Sequence, residues 1–204
     1  MKIGIIDLDT GNLASLKSAF QKLNINYGIC KEFSELNNFK KFILPGVAAF
    51  PKCMKKIKET KIDKILYQKV LSGSSLLGIC AGFQILFESS NEYEVSLGLN
   101  FFDEKIKNFK DFDNKIKTPH VGWNQCKILN KNRLFEGIND MSDFYFSHTY
   151  MLNNLDEKYI VSKTEYKINF ISSINNKNIY GVQFHPEKSQ SNGLRIIKNF
   201  CEYC

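Results

Sequence analysis

Two segments carry residue types whose spacing can do covalent chemistry. Gly78-Ile79-Cys80-Ala81-Gly82 sets a cysteine in a Gly-x-Cys-x-Gly frame, after the apolar Leu76-Leu77 and before Phe83-Gln84. This is the pattern of a nucleophile elbow, a sharp strand-to-helix turn where a side chain at either glycine would crowd strand against helix. The turn lifts the thiol out of the sheet and places it at a helix N-terminus, whose partial positive charge favours thiolate. It also aims the backbone N–H of Ala81 at a developing oxyanion. Taken alone, Cys80 also reads as one more buried cysteine, because free cysteine packs as a small apolar side chain.

The second segment is Tyr180-Gly181-Val182-Gln183-Phe184-His185-Pro186-Glu187, which begins as a strand and ends in a His-Pro-Glu turn. Proline fixes the relative orientation of an imidazole and a carboxylate two residues apart. A thiolate nucleophile needs a base that takes and returns a proton. That imidazole in turn needs a third group to set its tautomer and stabilise its cation. Cys80, His185 and Glu187 fill these three roles, and a surface histidine in a polar turn is the reading they displace.

These groups must be positioned by a sheet. Residues 2–7 read as a buried strand, Thr10-Gly11-Asn12 as a turn, and Leu13, Leu16, Phe20 and Leu23 recur at helical spacing. Further strands are predicted at 26–30, 41–44 (ended by Pro45-Gly46) and 75–79, with two Lys-rich helical segments between 51 and 71. Short apolar strands alternating with amphipathic helices imply an α/β class with a mostly parallel central sheet flanked by helices. The second half differs, with strands at 104–116, 124–129, 144–147, 159–163, 170–174 and 178–183 and few helices between them, so antiparallel additions are expected. A helix over 191–201 closes what reads as a single domain, 1–204.

Composition excludes several classes. The chain has 28 Lys plus Arg against 21 Asp plus Glu, a net charge of +7, but the lysines are scattered rather than gathered in a basic, aromatic-interleaved stripe, so no nucleic-acid partner is implied. No stretch approaches the roughly 20 apolar residues of a membrane helix, and the short apolar start ends at Asp7, unlike a signal peptide. No membrane association and a cytoplasmic location are expected. The six cysteines lack framework spacing, and Cys201-Glu202-Tyr203-Cys204 has neither a redox-motif context nor a second pair for zinc. No metal or cofactor is implied.

The elbow together with Gly181-Val182-Gln183-Phe184-His185-Pro186-Glu187 resembles the class I, or triad, glutamine amidotransferases over nearly the whole chain. That resemblance implies a flavodoxin-like fold and a cysteine glutaminase that forms a glutamyl thioester and releases ammonia, with Cys80 as nucleophile, His185 as acid and base, and Glu187 as orienting carboxylate. Within the family, Ile5-Ile6-Asp7, Gly11-Asn12-Leu13, Leu44-Pro45-Gly46-Val47, Pro119-His120-Val121-Gly122-Trp123-Asn124 and His185-Pro186-Glu187-Lys188-Ser189 resemble the glutaminase subunits of imidazole glycerol phosphate synthases. The resemblance implies a heterodimer that passes ammonia to a (β/α)8-barrel cyclase subunit in histidine biosynthesis. The short run after Glu187 leads us to expect no acceptor-activating segment and a separate partner instead.

Other positions follow less directly. Val47, after Pro45-Gly46, either completes an oxyanion hole with Ala81 or belongs to a simple strand-ending turn. Trp123, the only tryptophan, either anchors a partner or packs in the core. His120 and His148, far apart in sequence, read as structural histidines rather than ligands. The resemblance implies glutamine-binding roles for Gly46, Gln84, His148, Thr149 and Tyr150, and partner-facing positions for Asn12, Trp123 and Asn124. Two departures stand out: Ala48 occupies the family's second glycine of the oxyanion strand and Leu8 a usual tyrosine. A Cβ at 48 restricts positive φ, so a peptide flip there would be costlier.

Three competing readings have distinct signatures. A paralogous glutaminase serving surface-polysaccharide synthesis would be told apart by its barrel partner. A cysteine peptidase or chaperone-like hydrolase would consume peptide rather than glutamine. A silent scaffold subunit would have no need of an intact Cys80, His185 and Glu187.

Overall fold

The alternation of apolar runs and amphipathic segments folds as a doubly wound sheet in the computed structural model, which describes residues 2–9 and 13–204. The predicted turn at Thr10-Gly11-Asn12 lies outside the described residues. The first half runs β1 (Ile3–Ile6), α1 (Leu13–Lys22), β2 (Tyr27–Cys30), β3 (Lys41–Gly46), α2 (Phe50–Glu59), α3 (Ile62–Leu71), β4 (Ser75–Cys80) and α4 (Ala81–Gln84). The second runs β5 (Phe87–Ser90), β6 (Ser96–Leu97), β7 (Phe102–Asn108), β8 (His120–Ile128), β9 (Ser142–His148), β10 (Tyr150–Met151), β11 (Ile160–Tyr166), β12 (Ile168–Asn176), β13 (Ile179–Val182) and α5 (Gln190–Tyr203).

The main sheet has the order β2-β1-β3-β4-β13-β12-β11-β8-β9. The first five strands pair in parallel, and β12, β11, β8 and β9 extend them antiparallel, as the strand-rich second half implies. Successive side chains of the parallel strands fall on opposite faces, which divides the core in two. Ile6, Phe42, Leu44 and Leu76 pack with α2 and α3, whereas Ile3, Ile5, Ile43, Leu77 and Ile79 pack with α1 and α5. Buried Lys41 ties the layers together, donating to the carbonyls of Phe200 (3.1 Å) and Cys201 (2.9 Å) at the end of α5. A second sheet has the order β10-β7-β5-β6.

Two expectations are corrected. The helix after Cys80 is a single turn, because the carbonyls of Ile85 and Leu86 are taken by the N–H groups of Leu99 and Phe101 (both 2.8 Å), and the chain straightens into β5. The strand predicted over 104–116 ends at Asn108, where the Asn108 side chain caps a turn of 3₁₀ helix by accepting from the Lys110 N–H.

The junction of β3, β4 and α4 is packed backbone on backbone. A Cβ on Gly82 would stand 1.7 Å from the Leu44 carbonyl oxygen, and one on Gly78 2.6 Å from the Gly82 oxygen. Since Leu44 is held in the register with β4, Gly82→Ala should cost at least about 3 kcal/mol or prevent folding, beyond the usual range for overpacking. Urea unfolding of the variant measures this, and an unchanged midpoint would show that α4 can move away from β3.

Candidate active site

The parallel strands β3, β4 and β13 end together, with Gly46 opposite Cys80 and Val182 opposite Ile79. The chain after each carboxyl end therefore converges on one place, where open α/β sheets bind ligands. Cys80 sits at the turn with φ 55° and ψ −110°, a backbone state that costs energy in any residue with a Cβ and persists here because flanking packing holds it. Its neighbours on the adjacent strand ends, Val47 and Ala81, line the same cavity. Positive φ among the described residues occurs at Cys80 and not at Val47, Ala48 or Ala49.

Beyond β13 the His-Pro-Glu turn is fastened to β9. The His185 N–H donates to the Tyr145 carbonyl (2.8 Å), the Tyr145 N–H donates to Ser189 Oγ (2.9 Å), and Ser189 Oγ donates to the His185 carbonyl (2.6 Å). The imidazole, its side chain 3% exposed, places Nδ1 2.8 Å from Glu187 Oε1. A carboxylate only accepts, so Nδ1 carries the proton and Nε2 is left for exchange with the nucleophile. Burial opposes protonation of this ring. The facing Cys80 sulfur, by charge and by hydrogen bond, and then Glu187 outweigh it and raise the imidazole to about 10.

A cavity of about 170 Å³ opens beside the sulfur. Residues 47–49 and Ala81 form one wall, and Ser147 to Tyr150 the other. Gln84 lies between them, buried, with its amide nitrogen donating to the Tyr150 carbonyl (2.7 Å) and to Gln183 Oε1 (3.1 Å). Both amide hydrogens thus serve the protein, leaving the Gln84 carbonyl oxygen for a ligand. Gly46 lies behind this wall, where a Cβ would meet Ala81 Cβ and Gly82 N at 2.9 Å. A larger concavity, about 750 Å³, lies elsewhere, on β8 and β11 among Lys127, Lys163 and Lys167, with no cysteine or histidine in its lining.

Sequence reasoning missed two residues. Gln183, fully buried, places its amide nitrogen 3.8 Å from Cys80 Sγ. Its signal was a polar side chain between Val182 and Phe184 at the end of an apolar strand. Glu92 lines the cavity and its Oε2 accepts from the Phe50 N–H (2.7 Å), pinning the start of α2 directly after residues 47–49. Nothing distinguishes it in the sequence from neighbouring loop acids.

His120 and His148, read as separate structural histidines, face each other across β8 and β9 with ring nitrogens 3.1 Å apart. Trp123 is 48% exposed, against the core alternative, and points outward with Val121. Asn124, next along the strand, faces the opposite way, toward His120 (3.3 Å) and the Glu165 carbonyl (2.8 Å). Asn12 lies outside the described residues. Among the described residues, no three His, Cys, Asp or Glu side chains are grouped to hold a metal ion.

Residues 5–204 match the family described as glutamine amidotransferase class-I. The imidazole glycerol phosphate synthase subunit HisH of Methanocaldococcus jannaschii is 44% identical over 200 residues, covering 98% of each chain. Subunit HisH 1 of Campylobacter jejuni is 39% identical over 199 residues, covering 97% of this chain and 98% of the relative. Among solved structures, a chain in the structure of PurLQS from Thermotoga maritima superposes with a TM-score of 0.77 at 16% identity, covering 99% and 98%, a likeness of fold.

The raised His185 means an imidazolium that survives neutral pH and is lost only as the pH climbs toward about 10. Replacing the anionic acceptor in Glu187→Gln should lower that midpoint, and Cys80→Ala should lower it further, because the sulfur contributes more than the carboxylate. NMR titration of the ring reads all three proteins. A wild-type midpoint at or below the ordinary value of about 6.5 would show that the sulfur and the imidazole do not form a charged pair.

Proposed function

The chain belongs to the class I glutamine amidotransferases, and from that premise we infer that it is the glutaminase subunit of an imidazole glycerol phosphate synthase, supplying ammonia for histidine biosynthesis. The observation that carries the reading is the strained Cys80 elbow set against a His185–Glu187 pair, in a chain similar to those subunits over almost its full length. One domain, 1–204, holds the whole site.

In the proposed reaction the Cys80 thiolate attacks the side-chain carbonyl carbon of glutamine. The carbonyl electron pair moves to oxygen, where the Val47 and Ala81 N–H groups receive it. Collapse breaks the C–N bond, and the proton on His185 Nε2 goes to the departing nitrogen, giving ammonia and a glutamyl thioester. Water then attacks the thioester and yields its proton to His185. Breaking the C–S bond releases glutamate and restores the thiolate opposite an imidazolium. Glu187 keeps the ring in one tautomer throughout.

The ends of the substrate find complementary chemistry in the cavity. Backbone groups of residues 148–150 suit the α-carboxylate. Glu92 is the carboxylate lining the cavity and suits the α-ammonium. Gln84 offers its carbonyl oxygen to the side-chain amide, and Gly46 keeps the wall thin enough for substrate to reach Ala81.

Ammonia released here must pass to a second active site. The relatives are named as synthase subunits, in keeping with a partner subunit. We assign that partner as a (β/α)8-barrel cyclase, docked over outward-facing Trp123 and Val121 and over Asn12, with Asn124 beneath. An oxyanion hole completed only when the partner orders residues 45–48 would gate the reaction, since one donor is worth about 2.7–4 kcal/mol, or 100–1000-fold in rate. No described helix is long and apolar enough to cross a membrane, in keeping with work in the cytoplasm.

Glutamate release should rise about 100-fold or more when the histidine-pathway cyclase and its nucleotide ligand are added. Cys80→Ala should lose at least about 10³-fold of that activity while ammonia-dependent synthesis by the partner persists. Loss of both activities would refute the division of labour, and high glutaminase activity in the isolated chain would refute the gating. Glu92→Gln keeps the acceptor for the Phe50 N–H but loses the charge, so the KM for glutamine should rise about tenfold with kcat retained. An unchanged KM would place the ammonium elsewhere.

A further inference from the structure

A file of hydrogen bonds enters the glutamine cavity from the antiparallel half of the sheet. Asn124 Nδ2 lies 3.3 Å from His120 Nε2, His120 Nδ1 lies 3.1 Å from His148 Nε2, and His148 Nδ1 lies 2.9 Å from the Tyr150 carbonyl. The same carbonyl accepts from Gln84 Nε2, which also donates to Gln183 Oε1, and the Gln183 amide nitrogen ends the file at Cys80 Sγ. We propose that His120 and His148 are positioning residues: a tautomer-locked imidazole pair that fixes the Tyr150 carbonyl and, through it, the Gln84 side chain that receives glutamine. The inference rests on the glutaminase reading for the identity of the ligand and on geometry for the lock.

The direction of every bond follows from the two ends. A backbone carbonyl only accepts, so His148 Nδ1 carries a proton. In the neutral ring Nε2 is then bare, and His120 must donate to it from Nδ1. That leaves His120 Nε2 bare, facing the Asn124 amide nitrogen. The Asn124 amide is oriented independently, since its nitrogen donates to the Glu165 carbonyl (2.8 Å) and its oxygen accepts from the Gln125 N–H (2.8 Å). A second proton on either ring would set N–H against N–H between them, or N–H against the Asn124 amide.

The surroundings keep both rings neutral. His120 is 3% and His148 6% exposed, enclosed by Phe109, Phe146, Tyr166 and Phe170. Burial pushes His120 down to about 4 and His148 down to about 3, the latter with help from the charges of His120 and His185. Two apolar rings would fill this box without any need for buried hydrogen-bond partners. What imidazoles add is a directed donor at Tyr150, in the wall of the cavity and not in a remote part of the core.

The test compares two alkylating agents on Cys80, with Cys80→Ala as blank: a glutamine-like chloroketone, which reports recognition, and iodoacetamide, which reports the thiol. In His120→Phe an aromatic ring, somewhat larger, is kept and the donor is lost, so chloroketone labelling should slow about tenfold while iodoacetamide labelling changes little. His120→Asn, whose amide nitrogen falls near Nδ1, should restore most of the selectivity. Retained selectivity in the Phe variant, parallel loss of both labels, or no rescue by Asn would each overturn the proposal. In the wild-type protein, ¹⁵N NMR should find both rings neutral with Nδ1 protonated, and an Nε2–H form of either would overturn the lock whether or not a variant folds. A wild-type chain without preference for the chloroketone would instead refute the glutaminase reading, leaving the tautomers to judge the pair.

Discussion

The site depends on one close approach, that of α4 to the end of β3. The Gly82 Cα lies against the Leu44 carbonyl with no room for a further carbon, and Gly78 lies against Gly82 in the same way. This contact forces the chain to reverse within a residue, so Cys80 takes φ 55° and its sulfur stands above the sheet. The same contact holds Val47 and Ala81 side by side, since both follow residues paired in register across β3 and β4. The elbow of Cys80 and the adjacency of Val47 and Ala81 are therefore two consequences of one packing constraint.

The electrostatics of the site come from sorting three buried imidazoles. All three experience desolvation that disfavours charge, yet His185 is lifted to about 10 while His120 and His148 fall to about 4 and 3. The difference lies in what each ring faces. His185 stands between a sulfur and a carboxylate, both of which favour its charged form. The other two face ring nitrogens, an amide and a carbonyl within an aromatic box, so they hold a fixed hydrogen-bonding pattern. Neighbouring side chains decide the role, because the residue type and the burial are the same.

What was legible in the sequence was what is local. Gly78-x-Cys80-x-Gly82 and His185-Pro186-Glu187 each define a turn within a few residues, and the strand and helix periods around them needed no tertiary knowledge. What was illegible came from pairing. Gln183 and Glu92 gain their places only because β13 lies beside β4 and because the chain after β5 loops over α2. His120 and His148 are 28 residues apart and meet through the β8–β9 register alone. The shortness of α4 was hidden for the same reason, since its helical pattern continues through residues whose carbonyls are claimed by the chain at 99–101.

The two halves of the sheet divide the work. Parallel strands place Cys80, Val47 and Ala81 where their carboxyl ends converge. Antiparallel strands supply the frame for His185 and for one wall of the cavity: β9 anchors His185 through Tyr145, and β8 and β9 together hold the segment leading to Tyr150. Strand β8 has a period of two, so Val121 and Trp123 point outward while His120 and Asn124 point inward. The inner face of β8 is hydrogen-bonded through His148 to the Tyr150 carbonyl in the cavity wall. The two faces of one strand thus meet different surroundings, solvent on one side and the hydrogen-bonded pair His120–His148 on the other.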